Sequence, residues 1–245
     1  MAAVERAHPE DPGFQQGSPY RANLFRRYAF ANAFTQGKTV CDIPCGVGWG
    51  TALLTAKHKI GIYISSDAVA YGRKHYPGIE FLVGDMASIP LADSSVDVVV
   101  CLEGFEHVSE TTGMKFLAEA TRILKDPGLL VMTVPVIVPG RAHSGNPYHL
   151  HEPCLPDLKS ILAQPFHTRS LDIVEGPDGP TVYFVGSPKA RREAPEFASE
   201  QAGPEYASGG SNILLTTSAA PSQAPVATKE KRPPLPAVPV SMSKE

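Results

Sequence analysis

The stretch Val40-Cys-Asp-Ile-Pro-Cys-Gly-Val-Gly-Trp-Gly-Thr51 joins a short apolar run to a loop with three glycines in five residues. The run Thr39–Ile43 is typical of a buried strand, and Thr51–Lys57 after the glycines predicts a helix. Glycine permits a positive φ and lets the backbone approach a ligand without a Cβ in between. The stretch therefore predicts a strand–loop–helix unit with a ligand-binding loop.

Downstream of this unit, the chain alternates between strand and helix patterns. The predicted strands are 59–64, 79–83, 96–102 and 128–134, and the predicted helices are 67–76, 113–124 and 155–163. Residues 171–174 and 181–185 flank a turn-rich segment at 176–180, which predicts an antiparallel hairpin. The pattern predicts an α/β fold, namely a Rossmann-like, doubly wound and mostly parallel sheet with a C-terminal antiparallel hairpin. Ligands of such sheets bind beyond the carboxyl ends of the strands, so functional residues are expected directly after strands.

Three segments of the 245-residue chain differ in composition. We predict a flexible N-terminus at 1–17, a folded domain at 18–188 and a disordered tail at 189–245. The tail is rich in Pro, Ala and Ser and has too few apolar residues to offset its chain entropy. Its segment Lys231-Arg-Pro-Pro-Leu-Pro236 is typical of a polyproline II ligand for an SH3-like partner, and a purely solvated tail is the alternative.

Charge and cysteine usage exclude several classes of protein. The net charge of −3 does not favour binding to nucleic acid or to an anionic membrane. No apolar run reaches the ~20 residues that a membrane span needs, and residues 1–20 do not resemble a secretory signal. The four cysteines form no C-x-x-C pair, so they predict reduced thiols in a cytoplasmic protein rather than a structural zinc site.

The acidic residue that precedes the glycines limits the kinds of ligand that the loop is expected to bind. Dinucleotide oxidoreductases use a similar loop to hold a pyrophosphate, and an anion directly in front of it would be unfavourable. Asp42 stands in that place and favours a cationic or zwitterionic ligand.

Several motifs in order resemble those of the class I S-adenosylmethionine-dependent methyltransferases. They are Val40–Thr51, Gly84-Asp-Met86, Ile89-Pro90, Asp97–Cys101 and Arg122–Gly128. The likeness is greatest to the small-molecule branch that acts on sugars and quinones, and it extends over about residues 20 to 185. The resemblance implies S-adenosylmethionine as the cofactor and a small molecule as the methyl acceptor.

The resemblance also implies roles for individual residues. Asp42, Gly46 and Gly48 would flank the amino-acid end of the cofactor. Asp85 would accept a hydrogen bond from the adenine amino group, with Met86 beside the ring.

One position departs from the family pattern. The family has Asp or Glu at the end of the second strand, where the carboxylate binds both ribose hydroxyls, and this chain has Tyr63. A hydrogen bond to a charged group contributes ~1.5–3 kcal/mol, so its loss would weaken binding by roughly one to two orders of magnitude. Tyr63 could stack or donate one bond, or Asp67 could reach back. The substitution also motivates the hypothesis of a degenerate, non-catalytic scaffold.

A cluster of polar residues, Glu103-Gly-Phe-Glu106-His107, directly follows the predicted strand 96–102. Residues three and four apart share a helix face, so Glu103, Glu106 and His107 could bind Mg²⁺ or Mn²⁺ together with His149. This set resembles the metal ligands of quinone-precursor O-methyltransferases and of enzymes that methylate the 2′-hydroxyl of small RNAs. In the metal-free alternative, Glu106 and His107 cap a helix and His107 acts as general base. Glu103 is also a candidate for cofactor binding.

These observations predict methyl transfer to an oxygen of a small hydroxylated metabolite, with Glu106 and His107 as catalytic residues. RNA 2′-O-methylation is an alternative, although the acidic net charge does not support it. The residues 146–152 and 11–30 are expected to cover the substrate, with Arg21 and Arg26 as surface charges.

Overall fold

The computed structural model describes residues 7–11, 14, 17–137, 146–176 and 179–189. All of them belong to one structural unit, Met1–Phe197, whereas the second unit, Ala198–Glu245, lies outside the described residues. The predicted disorder of the tail and its proline-rich motif therefore also lie outside the described residues, except for Lys189.

Seven strands and five helices make up the described part. The strands are β1 (Thr39–Asp42), β2 (His58–Tyr63), β3 (Glu80–Val83), β4 (Val96–Leu102), β5 (Leu124–Pro135), β6 (Phe166–Gly176) and β7 (Gly179–Pro188). The helices are α1 (Pro19–Thr35), α2 (Trp49–Leu53), α3 (Ser66–His75), α4 (Glu110–Ile123) and α5 (Leu155–Ala163), with a 3₁₀ turn at Phe105–His107.

The strands form one mixed sheet in the order β3-β2-β1-β4-β5-β7-β6. The pairs among the first five strands of this order are parallel. Strand β7 pairs antiparallel with both β5 and β6. The predicted doubly wound sheet with a C-terminal antiparallel hairpin is confirmed. The predicted bounds of β4 and α5 match the structure residue for residue.

Helix α1 was not predicted as a helix from the sequence. Its start carries ordinary signals, since Pro19 occupies the first turn and the Ser18 side chain accepts a hydrogen bond from the Arg21 N–H at 3.5 Å. Its buried face, however, contains no continuous apolar stripe. The buried residues are Asn23, Arg27, Tyr28, Ala31 and Thr35. Hydrophobic periodicity does not predict this helix, because several of the side chains that the helix buries are polar.

Apolar clusters cover both faces of the sheet. Val99 and Cys101 of β4 pack in the cluster that contains residues of α4 and α5, whereas Val98 and Val100 pack with residues of α1. This alternation explains the near-continuous apolar sequence of β4, because a strand buried on both faces needs apolar residues in succession. No described helix is both long and apolar enough to cross a lipid bilayer.

Candidate active site

A cavity of about 850 Å³ lies at the carboxyl edge of the parallel strands. Its wall includes Gly46 after β1, Tyr63 at the end of β2, Asp85 after β3 and Glu103 after β4. Thr181 of β7 also lines it, because the amino end of an antiparallel strand lies at this same edge. The volume is within the ~300–1,000 Å³ that is usual for small-molecule sites.

The glycine loop between β1 and α2 forms one wall of this cavity. Gly46 and Gly48 have positive φ angles of 58° and 89°. A Cβ on Gly48 would lie 2.3 Å from Cζ of Phe81, whereas a Cβ on Gly46 would meet no atom within 4 Å. Glycine is therefore required at position 48 by both backbone and packing, and at position 46 by backbone alone.

Asp42 lies beneath the loop rather than in the cavity wall. It is 1% exposed, and its Oδ2 accepts hydrogen bonds from the Thr51 hydroxyl at 2.6 Å and the Tyr28 hydroxyl at 3.3 Å. Burial raises the pKa of Asp42 to about 7, against the opposing effect of the bonds from Thr51 and Tyr28. Asp42 is not among the described residues that line the cavity.

Tyr63 occupies the end of β2 and is only 6% exposed. It lines the cavity and packs in a cluster with Cys45 and Phe81. Asp67, which could have replaced a missing carboxylate, is exposed in the first turn of α3 and is not a described lining residue. The ribose-binding carboxylate of the family pattern therefore has no substitute on α3.

Asp85 and Met86 line the cavity directly after β3, where the sequence predicted an adenine site. Asp85 is exposed, and its Oδ1 accepts a hydrogen bond of 2.8 Å from the Ala87 N–H. Met86 is buried. The turn thus presents one carboxylate and one apolar side chain next to Tyr63 at the β2–β3 end of the cavity.

The N-terminal segment contributes to the wall on the outer side. Ala7 lines the cavity, and its carbonyl accepts a hydrogen bond of 3.1 Å from Trp49 Nε1. The Phe14 ring packs edge-on against Trp49 with 4.8 Å between the ring centroids. Tyr20 and Leu24 of α1 line the cavity as well.

Glu103 lies between α1 and β5. Its Oε2 is 2.8 Å from Arg27 Nη2, and its Oε1 accepts a hydrogen bond of 2.8 Å from the Thr133 hydroxyl. The φ of Glu103 is 51°, in the left-handed region that non-glycine residues seldom adopt. Sequence patterns did not single out Arg27, because arginine side chains are usually solvated.

Three of the four predicted metal ligands come together, and Glu103 is not one of them. Glu106, His107 and His149 have ligand atoms within 4.8 Å of one another, and this is the group of potential ligands found among the described residues. Glu106 is buried, and its Oε1 is 3.8 Å from His107 Nε2. The rings of the two histidines are 5.0 Å apart.

Residues of the segment 146–152 contact the side chains of both histidines of this group. Tyr148 O is 3.2 Å from His107 Nδ1, and since a carbonyl only accepts, Nδ1 carries the proton in this contact. His149 Nδ1 contacts the carboxylate of Glu152, and its Nε2 is 3.0 Å from the Asn146 amide nitrogen. The sequence patterns did not single out Glu152 as a partner of His149.

Several known proteins with similar sequences or folds are methyltransferases. Residues 41–132 match a family model described as a methyltransferase domain. A probable S-adenosylmethionine-dependent methyltransferase of Mycobacterium tuberculosis is 35% identical over 130 residues, which cover 51% of this chain and 47% of that protein. The phthiotriol/phenolphthiotriol dimycocerosates methyltransferase of Mycobacterium leprae is 31% identical over 143 residues, which cover 52% of this chain and 51% of that protein.

A solved structure with the same fold is that of the N-methyltransferase NodS from Bradyrhizobium japonicum in complex with S-adenosyl-L-homocysteine. The TM-score is 0.61 at 14% identity, covering 75% of this chain and 94% of NodS. At this identity the likeness shows the fold alone. The chain spans about half the length of the curated relatives it matches.

The resemblance to the class I S-adenosylmethionine-dependent methyltransferases is confirmed by these matches, as is the Rossmann-like fold of that class. The matched residues 41–132 run from the third residue of β1 into β5. Assignment to the sugar and quinone branch stays a prediction.

Proposed function

We propose that this chain is an S-adenosylmethionine-dependent methyltransferase that methylates an oxygen of a small hydroxylated acceptor. The observation that carries the proposal is that one cavity is lined by Gly46 of the glycine loop, by the Asp85–Met86 turn, and by Glu106 and His107. The matched domain and the names of its relatives support the same class of reaction.

The residues of the β1–β3 edge fit the cofactor. Gly46 lets the loop backbone approach the amino-acid part, while Asp85 and Met86 supply a hydrogen-bond acceptor and an apolar surface for the adenine. Carboxylates dominate the described charges of the wall, which suits a ligand that carries a sulfonium and an ammonium group. When bound, S-adenosylmethionine supplies an electrophilic methyl group, which the acceptor oxygen attacks as the carbon–sulfur bond breaks.

His107 is the proposed general base. With the proton on Nδ1, directed at Tyr148 O, Nε2 is the ring nitrogen that would take the proton of the acceptor hydroxyl. Glu106, 3.8 Å from that nitrogen, would stabilise the imidazolium that results. Positioned proton transfer of this kind contributes roughly 10²–10⁴-fold in rate.

The contacts favour this imidazole route over the metal-assisted one. A four-ligand site needs Glu103, but that carboxylate is bound to Arg27 and Thr133. His149 has its two ring nitrogens directed at Glu152 and Asn146. The residues therefore do not fit the predicted metal set, and no step of the proposed reaction depends on a metal.

The experiment that tests the proposal is calorimetric titration of S-adenosylmethionine and S-adenosylhomocysteine into the full-length chain. We expect micromolar binding, and a roughly tenfold loss in Asp85→Ala because a charged hydrogen-bond acceptor is removed. Asp172→Ala, on the exposed part of β6, is the matched control and should bind as the wild type does. Absence of binding would support the non-catalytic scaffold instead.

A further inference from the structure

Arg27 brings a buried positive charge into the cavity from α1. Its side chain is 8% exposed and that of Glu103 is 19% exposed, with 2.8 Å between Arg27 Nη2 and Glu103 Oε2. Among the cavity-lining residues that the structure describes, Arg27 is the one arginine or lysine. A cation in this position must be paired with an anion, because an isolated buried charge is strongly disfavoured.

The backbone of Glu103 fixes the direction of its side chain. The residue adopts a left-handed φ of 51°, and its N–H donates a hydrogen bond of 3.0 Å to Thr133 O. The Thr133 hydroxyl then binds Oε1 while Arg27 binds Oε2. Both carboxylate oxygens are thus held on the side of β5 and α1.

The group of Glu106, His107 and His149 is held separately. Its histidines are directed by Tyr148 O, the Glu152 carboxylate and the Asn146 amide. The backbone of Glu106 also anchors the segment, since its carbonyl accepts hydrogen bonds from the N–H groups of Leu150 and His151 at 2.8 and 3.1 Å. In the contacts described, Glu103 is bound by Arg27 and Thr133, whereas the other three predicted ligands contact residues of the segment 146–152.

We propose that Arg27 is a positioning residue whose guanidinium takes the place of a divalent cation at Glu103, so that the cavity operates without a metal. The guanidinium neutralises the carboxylate that a Glu-x-x-Glu-His set would otherwise offer to Mg²⁺ or Mn²⁺, and it holds this carboxylate away from Glu106 and His149. The inference rests on the proposed function only in taking the cavity as the reaction site.

The test is a titration of Mn²⁺ into the full-length chain, in which electron paramagnetic resonance measures the concentration of the free ion at each step. We expect the wild type to bind Mn²⁺ more weakly than ~0.1 mM. Arg27→Met removes a positive charge beside Glu103 and should raise the affinity at least about tenfold. Arg26→Met removes a charge from an exposed neighbour on the same helix and should change nothing.

Two further variants separate charge from shape. Arg27→Lys keeps the positive charge and should exclude Mn²⁺ as the wild type does. Adding Glu103→Gln to Arg27→Met should abolish the gained affinity, because the freed carboxylate is the proposed ligand. Circular dichroism checks folding, and Arg27→Gln replaces Arg27→Met if the latter does not fold. If neither folds, the wild-type titration decides.

Either of two results would overturn the inference. One is a wild-type Mn²⁺ site tighter than ~0.1 mM that His149→Ala removes. The other is a folded Arg27→Met variant that binds Mn²⁺ no better than Arg26→Met. Failure of the proposed function is distinguishable from both, because it would appear as lost S-adenosylhomocysteine binding in a separate calorimetric titration without added metal.

Discussion

The Tyr28 hydroxyl donates a hydrogen bond of 3.3 Å to Asp42 Oδ2 and so joins helix α1 to the strand that begins the glycine loop. The same ring lies against the loop, since a Cβ on Gly50 would be 2.1 Å from Tyr28 Cζ. Tyr28 of helix α1 therefore packs against the proposed cofactor loop. The preceding residue of the same helix, Arg27, lines the cavity.

The raised pKa of Asp42 predicts a specific dependence of stability on pH. Burial favours the protonated form of Asp42 in the folded chain. The contribution of Asp42 to the free energy of unfolding is therefore greatest below about pH 4 and falls as the pH rises to about 7. Each pKa unit corresponds to about 1.4 kcal/mol, which places the fall on the order of 4 kcal/mol. Urea unfolding between pH 4 and 8 measures this fall as the pH-dependent difference in the free energy of unfolding between the wild type and Asp42→Asn. Parallel pH profiles would contradict the prediction.

Tyr63→Asp should strengthen cofactor binding. The substitution restores a carboxylate at the end of β2, and we expect a roughly tenfold gain in affinity for S-adenosylhomocysteine by calorimetry. Tyr63→Phe is the matched control, since it keeps the ring and adds no carboxylate. Equal affinities for a folded Tyr63→Asp and the wild type would mean that another group binds the ribose.

Trp49 should report cofactor binding directly. It is the one tryptophan of the sequence, it lines the cavity, and its Nε1 donates to the carbonyl of Ala7. Added S-adenosylhomocysteine should therefore change the intensity or the maximum of the tryptophan emission, and should protect it from quenching by acrylamide. Unchanged emission under conditions where calorimetry detects binding would place the ligand elsewhere.

Once an acceptor is known, His107→Ala should lower kcat by about 10²–10⁴-fold, because it removes the proposed base. The affinity for S-adenosylhomocysteine should stay within about twofold, since the proposed adenine-binding residues are Asp85 and Met86. His167→Ala, on the exposed part of β6, is the control. A normal kcat in His107→Ala would assign proton transfer to another group or to water.

Arg122→Met should destabilise the fold without affecting the cavity. The guanidinium binds Glu119 at 2.7 Å and the carbonyls of Ile89 and Leu91 at 2.9 and 2.8 Å. Loss of this network should lower the free energy of unfolding by about 2–4 kcal/mol in thermal or urea melts. Lys115→Met, an exposed substitution on the same helix, should have little effect. An equal change in both variants would show that the network contributes nothing.

The sequence by itself determined the class of fold and the location of the cavity. A nearly continuous run of apolar residues predicted both bounds of β4, because a strand that is buried on both faces has few polar positions. The glycine loop and Asp85 follow β1 and β3, and parallel strands bring their carboxyl ends to one edge. These features could be predicted because they depend on local sequence patterns and on the order of the strands and helices along the chain.

Tertiary structure alone decided which polar groups meet. Glu103 stands three residues from Glu106, yet it pairs with Arg27 of a helix whose polar buried face has no apolar periodicity. The hydrogen bond from Tyr28 to Asp42 likewise joins side chains whose spacing carries no signal of pairing. Hydrogen bonds and ion pairs act over a few ångströms, so the partners of a polar side chain are set by the three-dimensional packing of whole elements.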